Sequence, residues 1–102
     1  MRKGNYSISK RALSDLEQIW LYTLENWSRE QADRYYNLII DEIENICKSP
    51  RVAGKSMEHI REGYRSSKVK SHLIFYRFSN EGVIEVIRIL HEQMDIENRL
   101  ND

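Results

Sequence analysis

From Lys10 onward, apolar residues fall at Leu13, Leu16, Ile19, Trp20, Leu24 and Trp27, the three-and-four spacing of one helical face. The pattern predicts a helix over residues 10–26, with the Ser9 hydroxyl placed to accept from first-turn amides. Asp15 and Glu17 lie in its N-terminal half, where negative charge suits the helix dipole. A second start follows at once. Ser28 and Gln31 have the spacing of a capping box, and Trp27 is placed to staple onto Ala32. Ala32, Tyr35, Tyr36, Ile39, Ile40, Ile43, Ile46 and Cys47 then form the cleanest stripe in the chain and predict a helix over 29–47. Pro50 cannot continue it. So short a link makes the two helices an antiparallel hairpin. On this reading Trp20, Trp27, Tyr35 and Tyr36 belong to core and rim rather than to a base-stacking platform.

Beyond Pro50 the period changes. Residues 48–58 read as a loop, and Ile60–Lys70 as a bent or edge strand in which Gly63 permits a bulge. Ser71–Phe78 and Val83–His91 are dense in β-branched and aromatic residues, and the turn between them, Ser79-Asn80-Glu81-Gly82, tolerates positive φ. They predict a β-hairpin. Simple alternation puts Leu73, Phe75, Val83, Ile87 and Ile89 on one side. It puts Ile74, Tyr76, Phe78, Ile84, Val86 and Leu90 on the other. Apolar groups on both sides imply a central pair, covered by helices on one face. Tyr6–Ile8 is a short candidate strand, and Met94–Leu100 reads as one or two helical turns or as a frayed tail. The order β-α-α-β-β-β gives an α+β fold, with a helical hairpin on one face of a small, mainly antiparallel sheet. The second face is left partly open, with Arg and Lys beside its apolar groups.

At 102 residues the chain is expected to form a single domain spanning 1–102. A chain of that length buries roughly 65% of its unfolded surface. Net charge is zero, so only its distribution points to partners. Residues 1–50 carry about −1, residues 51–80 about +5 and the remainder about −4. The basic middle fits either an anionic partner or a solvated strand and loop. Cys47 is the only cysteine and sits on an apolar stripe, which suits a small core residue and excludes an internal disulfide. The first five residues hold no apolar leader and no apolar run reaches spanning length, so a cytoplasmic location without membrane contact is expected.

No glycine-rich phosphate loop, dinucleotide fingerprint or serine elbow is present. His59, His72 and His91 are widely spaced with no second cysteine, so no metal and no cofactor are expected. One set of residues invites chemistry. Arg61, Arg65, Lys68, Lys70, Arg77, Arg88 and His91 come from neighbouring strands and are expected to converge on the open face. There His91 could act as general base with arginines holding a phosphate. Alternatively, His91 simply ends its strand and bonds Asp95 or a backbone carbonyl.

Three pieces of the sequence carry a family resemblance. The first is Ala12-Leu13-Ser14-Asp15-Leu16-Glu17-Gln18-Ile19-Trp20-Leu21-Tyr22, followed by Trp27-Ser28 and Gln31-Ala32. The others are Ser71-His72-Leu73-Ile74-Phe75-Tyr76-Arg77 and Arg88-Ile89-Leu90-His91-Glu92-Gln93-Met94-Asp95. In this order and spacing, over nearly the whole chain, they resemble the ParE toxins of the RelE/ParE superfamily, also called plasmid stabilisation proteins. The resemblance implies the same fold and a non-enzymatic toxin that binds DNA gyrase, traps its cleaved DNA complex and blocks replication. It also implies a ParD-type antitoxin, in a heterotetramer or larger assembly, whose C-terminal helix and tail wrap the toxin. Arg61, Arg65, Lys68, Lys70, Arg77, Arg88 and His91 would form the antitoxin- or target-binding surface. The alternative on the same fold is a RelE-like, ribosome-dependent messenger-RNA endoribonuclease using Arg61, Arg65 and His91. Against it, no Tyr stands beside His91 and no Tyr or His follows Asp95.

Overall fold

In the computed structural model, which describes residues 6–50, 53–79 and 82–101, Ser9 ends a strand and starts a helix. Strand β1 is Tyr6–Ile8 and helix α1 is Lys10–Asn26, with the Ser9 hydroxyl accepting from the Ala12 amide at 3.0 Å. The same hydroxyl donates to the Ile87 carbonyl at 2.8 Å and fastens the helix start to the sheet. Helix α2 is Arg29–Lys48, and its Ser28 cap accepts from the Gln31 amide at 3.1 Å. Both helices lie where the hydrophobic pattern places them. The remaining elements are β2 (Lys55–Ser56), β3 (Arg65–Val69), β4 (His72–Phe78), β5 (Ile84–His91) and α3 (Ile96–Asn101). Asn80 and Glu81 of the expected turn, Arg51, and Met1–Asn5 lie outside the described residues.

The sheet order is β1-β5-β4-β3-β2, antiparallel except for the parallel β1–β5 pair. The α1–α2 hairpin covers one face, where Leu16, Ile39, Ile43 and Ile46 meet Ile74, Tyr76, Ile84 and Val86. Each of these isoleucines is worth about 2–5 kcal/mol against truncation to alanine. On the second face Phe75 and Leu90 pack with Met57, Tyr64 and Leu100. That face is therefore less open than expected, because α3 and the segment before β3 cover part of it.

Three expectations need correction. The stretch taken as loop contains β2, which pairs with β3. A side chain at Gly54 would run into the Ser66 carbonyl, and its φ is +63°, so glycine permits this approach. Second, the strand read from Ile60 begins only at Arg65, and Gly63, at φ +81°, serves a turn rather than a bulge. Its amide donates to the Glu58 carboxylate at 2.6 Å. Third, the bulge lies in β5. Tyr76 pairs with Val86 while Phe75 pairs with Arg88, leaving Ile87 as the extra residue. The slip exchanges Ile89 and Leu90 between faces: Ile89 joins the helix-side core and Leu90 the other. The capping tryptophan also departs from expectation. Trp27 stands 69% exposed instead of stapling onto Ala32.

Candidate functional site

A groove of about 1020 Å³ runs between the outer surface of the helical hairpin, the β3–β4 turn and the end of β5. Its origin lies in how far the hairpin overhangs the sheet. From Trp20 to Arg34 only Ala32 is buried. Tyr22, Trp27, Leu38 and Met94 line the groove and remain exposed, Tyr22 by 65%. Arg34, Lys70 and Arg99 add cationic groups. Asp15 is the one carboxylate in the lining, and it is already engaged. Its oxygens accept from Arg88 Nε at 2.8 Å and Nη2 at 3.0 Å, and from the Ile89 amide at 3.0 Å. Arg88 Nη1 reaches the Arg99 carbonyl at 3.0 Å. Arg88, 8% exposed, thus ties α1, β5 and α3 together at the groove wall.

The floor holds a histidine pair. His72 and His91 are direct cross-strand partners, with ring centroids 5.2 Å apart and planes at 83°. The Tyr35 hydroxyl lies 2.6 Å from His72 Nδ1 and donates to the Val69 carbonyl at 3.1 Å. Nδ1 of His72 is therefore engaged by the phenol, and Nε2 is the ring nitrogen left over. His91 is also engaged at Nδ1. Its Nδ1 accepts from the Gln93 amide at 3.1 Å, which puts the proton of a neutral ring on Nε2. Burial, then the neighbouring His91, lowers the His72 pKa to about 4, with Glu92 opposing. Burial likewise raises the Tyr35 phenol. Glu92 is held by Lys68 at 2.8 Å, and that hydrogen bond lowers its carboxyl. No group of three or more His, Cys, Asp or Glu among the described residues is placed to hold a metal.

The seven residues expected to converge do not share one face. Lys70, Arg88 and His91 line the groove, with Lys68 beside it through Glu92. Arg65 stands opposite Tyr76, on the helix side, and clips the turn before β2 by donating to the Ala53 carbonyl at 2.9 Å. Arg77 pairs with Glu85 at 2.7 Å. Arg61 lies 5.6 Å over the Tyr64 ring. Neither Arg65, Arg77 nor Arg61 lines the groove. The His91 ring accepts from the Gln93 amide, which is neither of the partners expected for it. Sequence reasoning missed His72, Tyr35, Tyr22, Trp27, Arg34 and Leu38 as site residues. The signal for His72 was its place opposite the end of β5, but the hairpin count without the bulge faces it with Leu90. Phe78 pairs with Ile84 and His72 with His91, a one-residue difference in register.

Comparison with known proteins agrees on one family. The profile described as the ParE toxin of a type II toxin–antitoxin system, parDE, matches residues 6–96. Toxin ParE1 of Mycobacterium tuberculosis is 38% identical over 97 residues, 95% of this chain and 98% of that protein. Toxin ParE1 of Caulobacter vibrioides is 39% identical over 90 residues, 88% of this chain and 91% of that protein. Among solved structures the chain is similar to the chromosomal ParDE system from P. aeruginosa, with TM-score 0.73 at 18% identity. That match covers 85% of this chain and 96% of the other. The RelBE2 toxin–antitoxin complex of Mycobacterium tuberculosis is similar with TM-score 0.61 at 18% identity, over 88% of this chain and 94% of the other. At such identity the two structures speak for the fold alone.

Proposed function

Because the chain belongs to the ParE toxin family of type II toxin–antitoxin systems, we propose that it poisons DNA gyrase, and that an acidic segment of a ParD-type antitoxin neutralises it by filling the groove. The gyrase half is what membership of the family implies, since one fold hosts several activities. The antitoxin half has an observation behind it. Exposed Tyr22, Trp27, Leu38 and Met94 form an apolar surface beside Arg34, Lys70 and Arg99, and the lining carboxylate is bound to Arg88. An amphipathic helix with acidic edges fits such a groove through its apolar face and its charges. On this reading Lys70 and His91 belong to the docking surface, with Lys68 next to it. Arg65 and Arg88 hold the fold, and Arg61 and Arg77 are left for the target side.

Pulse-labelling after induction in a bacterium tests the target. Loss of DNA synthesis within minutes, with protein synthesis continuing, is the expected result, followed by trapped gyrase–DNA cleavage complexes in a purified assay. A second reading, ribosome-dependent cleavage of messenger RNA, draws on the Tyr35–His72–His91 cluster beside Lys70. Early loss of translation with DNA synthesis continuing would replace the first reading with it, and His72 would join His91 as a candidate acid or base.

A further inference from the structure

We infer that the His72–His91 pair makes antitoxin docking proton-linked: a carboxylate seated over the pair draws a proton onto His72, so the complex tightens as pH falls. The inference rests on the docking reading above and adds the regulation of that site. It starts from geometry. The two rings face each other across the β4–β5 ladder at the floor of the groove. Their Nδ1 atoms are both committed, His72 to Tyr35 and His91 to the Gln93 amide. What each ring offers the groove is therefore Nε2. On neutral His91 that atom carries a proton and can donate to a carboxylate. A proton added to His72 makes both of its ring nitrogens donors and sets a positive charge beside the carboxylate, so the bond becomes charge-assisted.

The surroundings set the direction. Around His72 stand Tyr35 from α2, Lys68 and Lys70 from β3 and its turn, and His91 and Glu92 from the end of β5. Glu92 is the only carboxylate among them, and Lys68 already holds it at 2.8 Å. In the free chain burial and His91 therefore keep His72 neutral, with its pKa at about 4. An acidic segment in the groove supplies the missing negative charge and excludes water, which strengthens the charge-assisted bond. The bound state then holds more protons than the free state, and linkage makes affinity rise wherever the two differ. The gain appears below the pKa of the complex and levels off below that of the free ring.

The test is the affinity of the purified chain for the purified antitoxin encoded beside it, measured from pH 7.5 to 5.5 at fixed ionic strength. Ordinary carboxylates, near pKa 4 in model peptides, stay mostly ionised across that range. If His72 titrates near its ordinary value in the complex, binding tightens about tenfold over the two units. His72→Gln, which keeps a nitrogen near the position of Nε2, should abolish the trend. Histidine ring NMR supplies a readout independent of the variant. His72 should stay neutral to about pH 4 in the free chain and titrate near neutrality in the complex. Binding that is tight and flat with pH overturns the proton link and leaves the docking reading standing. No binding at any pH overturns the docking reading and the link with it. A free-chain His72 that titrates near its ordinary value also overturns the link, whatever the antitoxin does.

Discussion

The two ends of the helical hairpin share one apolar stripe and end in opposite environments. At the near end Ala12 and Leu16 on α1, and Ile39, Ile43 and Ile46 on α2, are buried against the sheet. Asp15 closes that end by its bidentate pair with Arg88. At the far end Tyr22 and Trp27 stand 65% and 69% exposed, over a groove with cations along it. The near end is finished by the chain itself. The far end carries large aromatics that the chain's own sheet does not reach, and unburied patches of this kind mark interaction sites.

The largest effect should come from the near end. Asp15→Ala leaves the Arg88 guanidinium, 8% exposed, without its carboxylate and removes the acceptor of the Ile89 amide. Breaking a buried pair in this way costs about 3–5 kcal/mol of stability. Denaturant unfolding reads it directly. Replacing both partners by apolar residues should recover much of the loss, because the remaining charge is then gone. A single variant with a shift under about 0.5 kcal/mol would mean that the latch is ornamental and the near end is held by its isoleucines.

Trp27→Ala should do the reverse. The side chain is 69% exposed, and the bond that closes α1 is the backbone one from Trp27 N–H to the Thr23 carbonyl. Stability should move by less than about 0.5 kcal/mol. Affinity for the antitoxin should fall by about 2 kcal/mol, or roughly thirtyfold, as for an aromatic anchor. Calorimetric binding and thermal unfolding of the same variant separate the two. Large destabilisation with unchanged affinity would make the far end a second piece of core.

The contrast explains what could be read beforehand. Periodicity located α1 over 10–26 and α2 to within a residue, because both ends of the stripe have the same spacing. Spacing says which side is apolar and not what covers it, so Trp27 was placed in the core or rim. The family resemblance likewise contained Asp15 in its first piece and Arg88 in its third, without showing that the two meet. β2 is two residues long and exposed, too short to show a period. The histidine pair was hidden for a different reason. One extra residue, Ile87, shifts the end of β5 past β4 and brings His91 opposite His72. Nothing in the local composition of Val83–His91 announces that slip. Of the seven expected residues only Arg88 and His91 lie beyond that slip, and Arg61, Arg65 and Arg77 leave the groove through their own places in the turn before β3, in β3 and in β4.

A smaller effect follows from the acid response of the free chain. Folded His72 has its pKa at about 4 against an ordinary 6.5. The folded state therefore binds fewer protons than the unfolded one between those values. Stability from this group is intact above the ordinary value and is lost as pH falls toward 4. Unfolding midpoints measured between pH 7 and 4 should decline, and His72→Gln should flatten part of the decline. An unchanged decline in that variant would assign the acid response to the carboxylates instead.

The smallest effect concerns Lys70, and it separates charge from backbone at the groove's edge. Lys70 is exposed in the β3–β4 turn at φ +54°, a left-handed conformation that costs a lysine free energy. Lys70→Gly should therefore stabilise the fold slightly, by about 0.4–1 kcal/mol at most, since glycine adopts that conformation freely. The same change removes a groove cation, so antitoxin binding should weaken by about 1 kcal/mol or less, and its salt dependence should become shallower. Lys70→Glu keeps the strain and reverses the charge. It should leave stability within about 0.5 kcal/mol while weakening binding more than the glycine does. If the two variants bind equally, the lysine contributes no charge to docking, and the far end works through Tyr22 and Trp27 alone. If the glutamate variant binds worst and its loss shrinks with salt, a charged residue has been kept in a strained position for what it meets from outside.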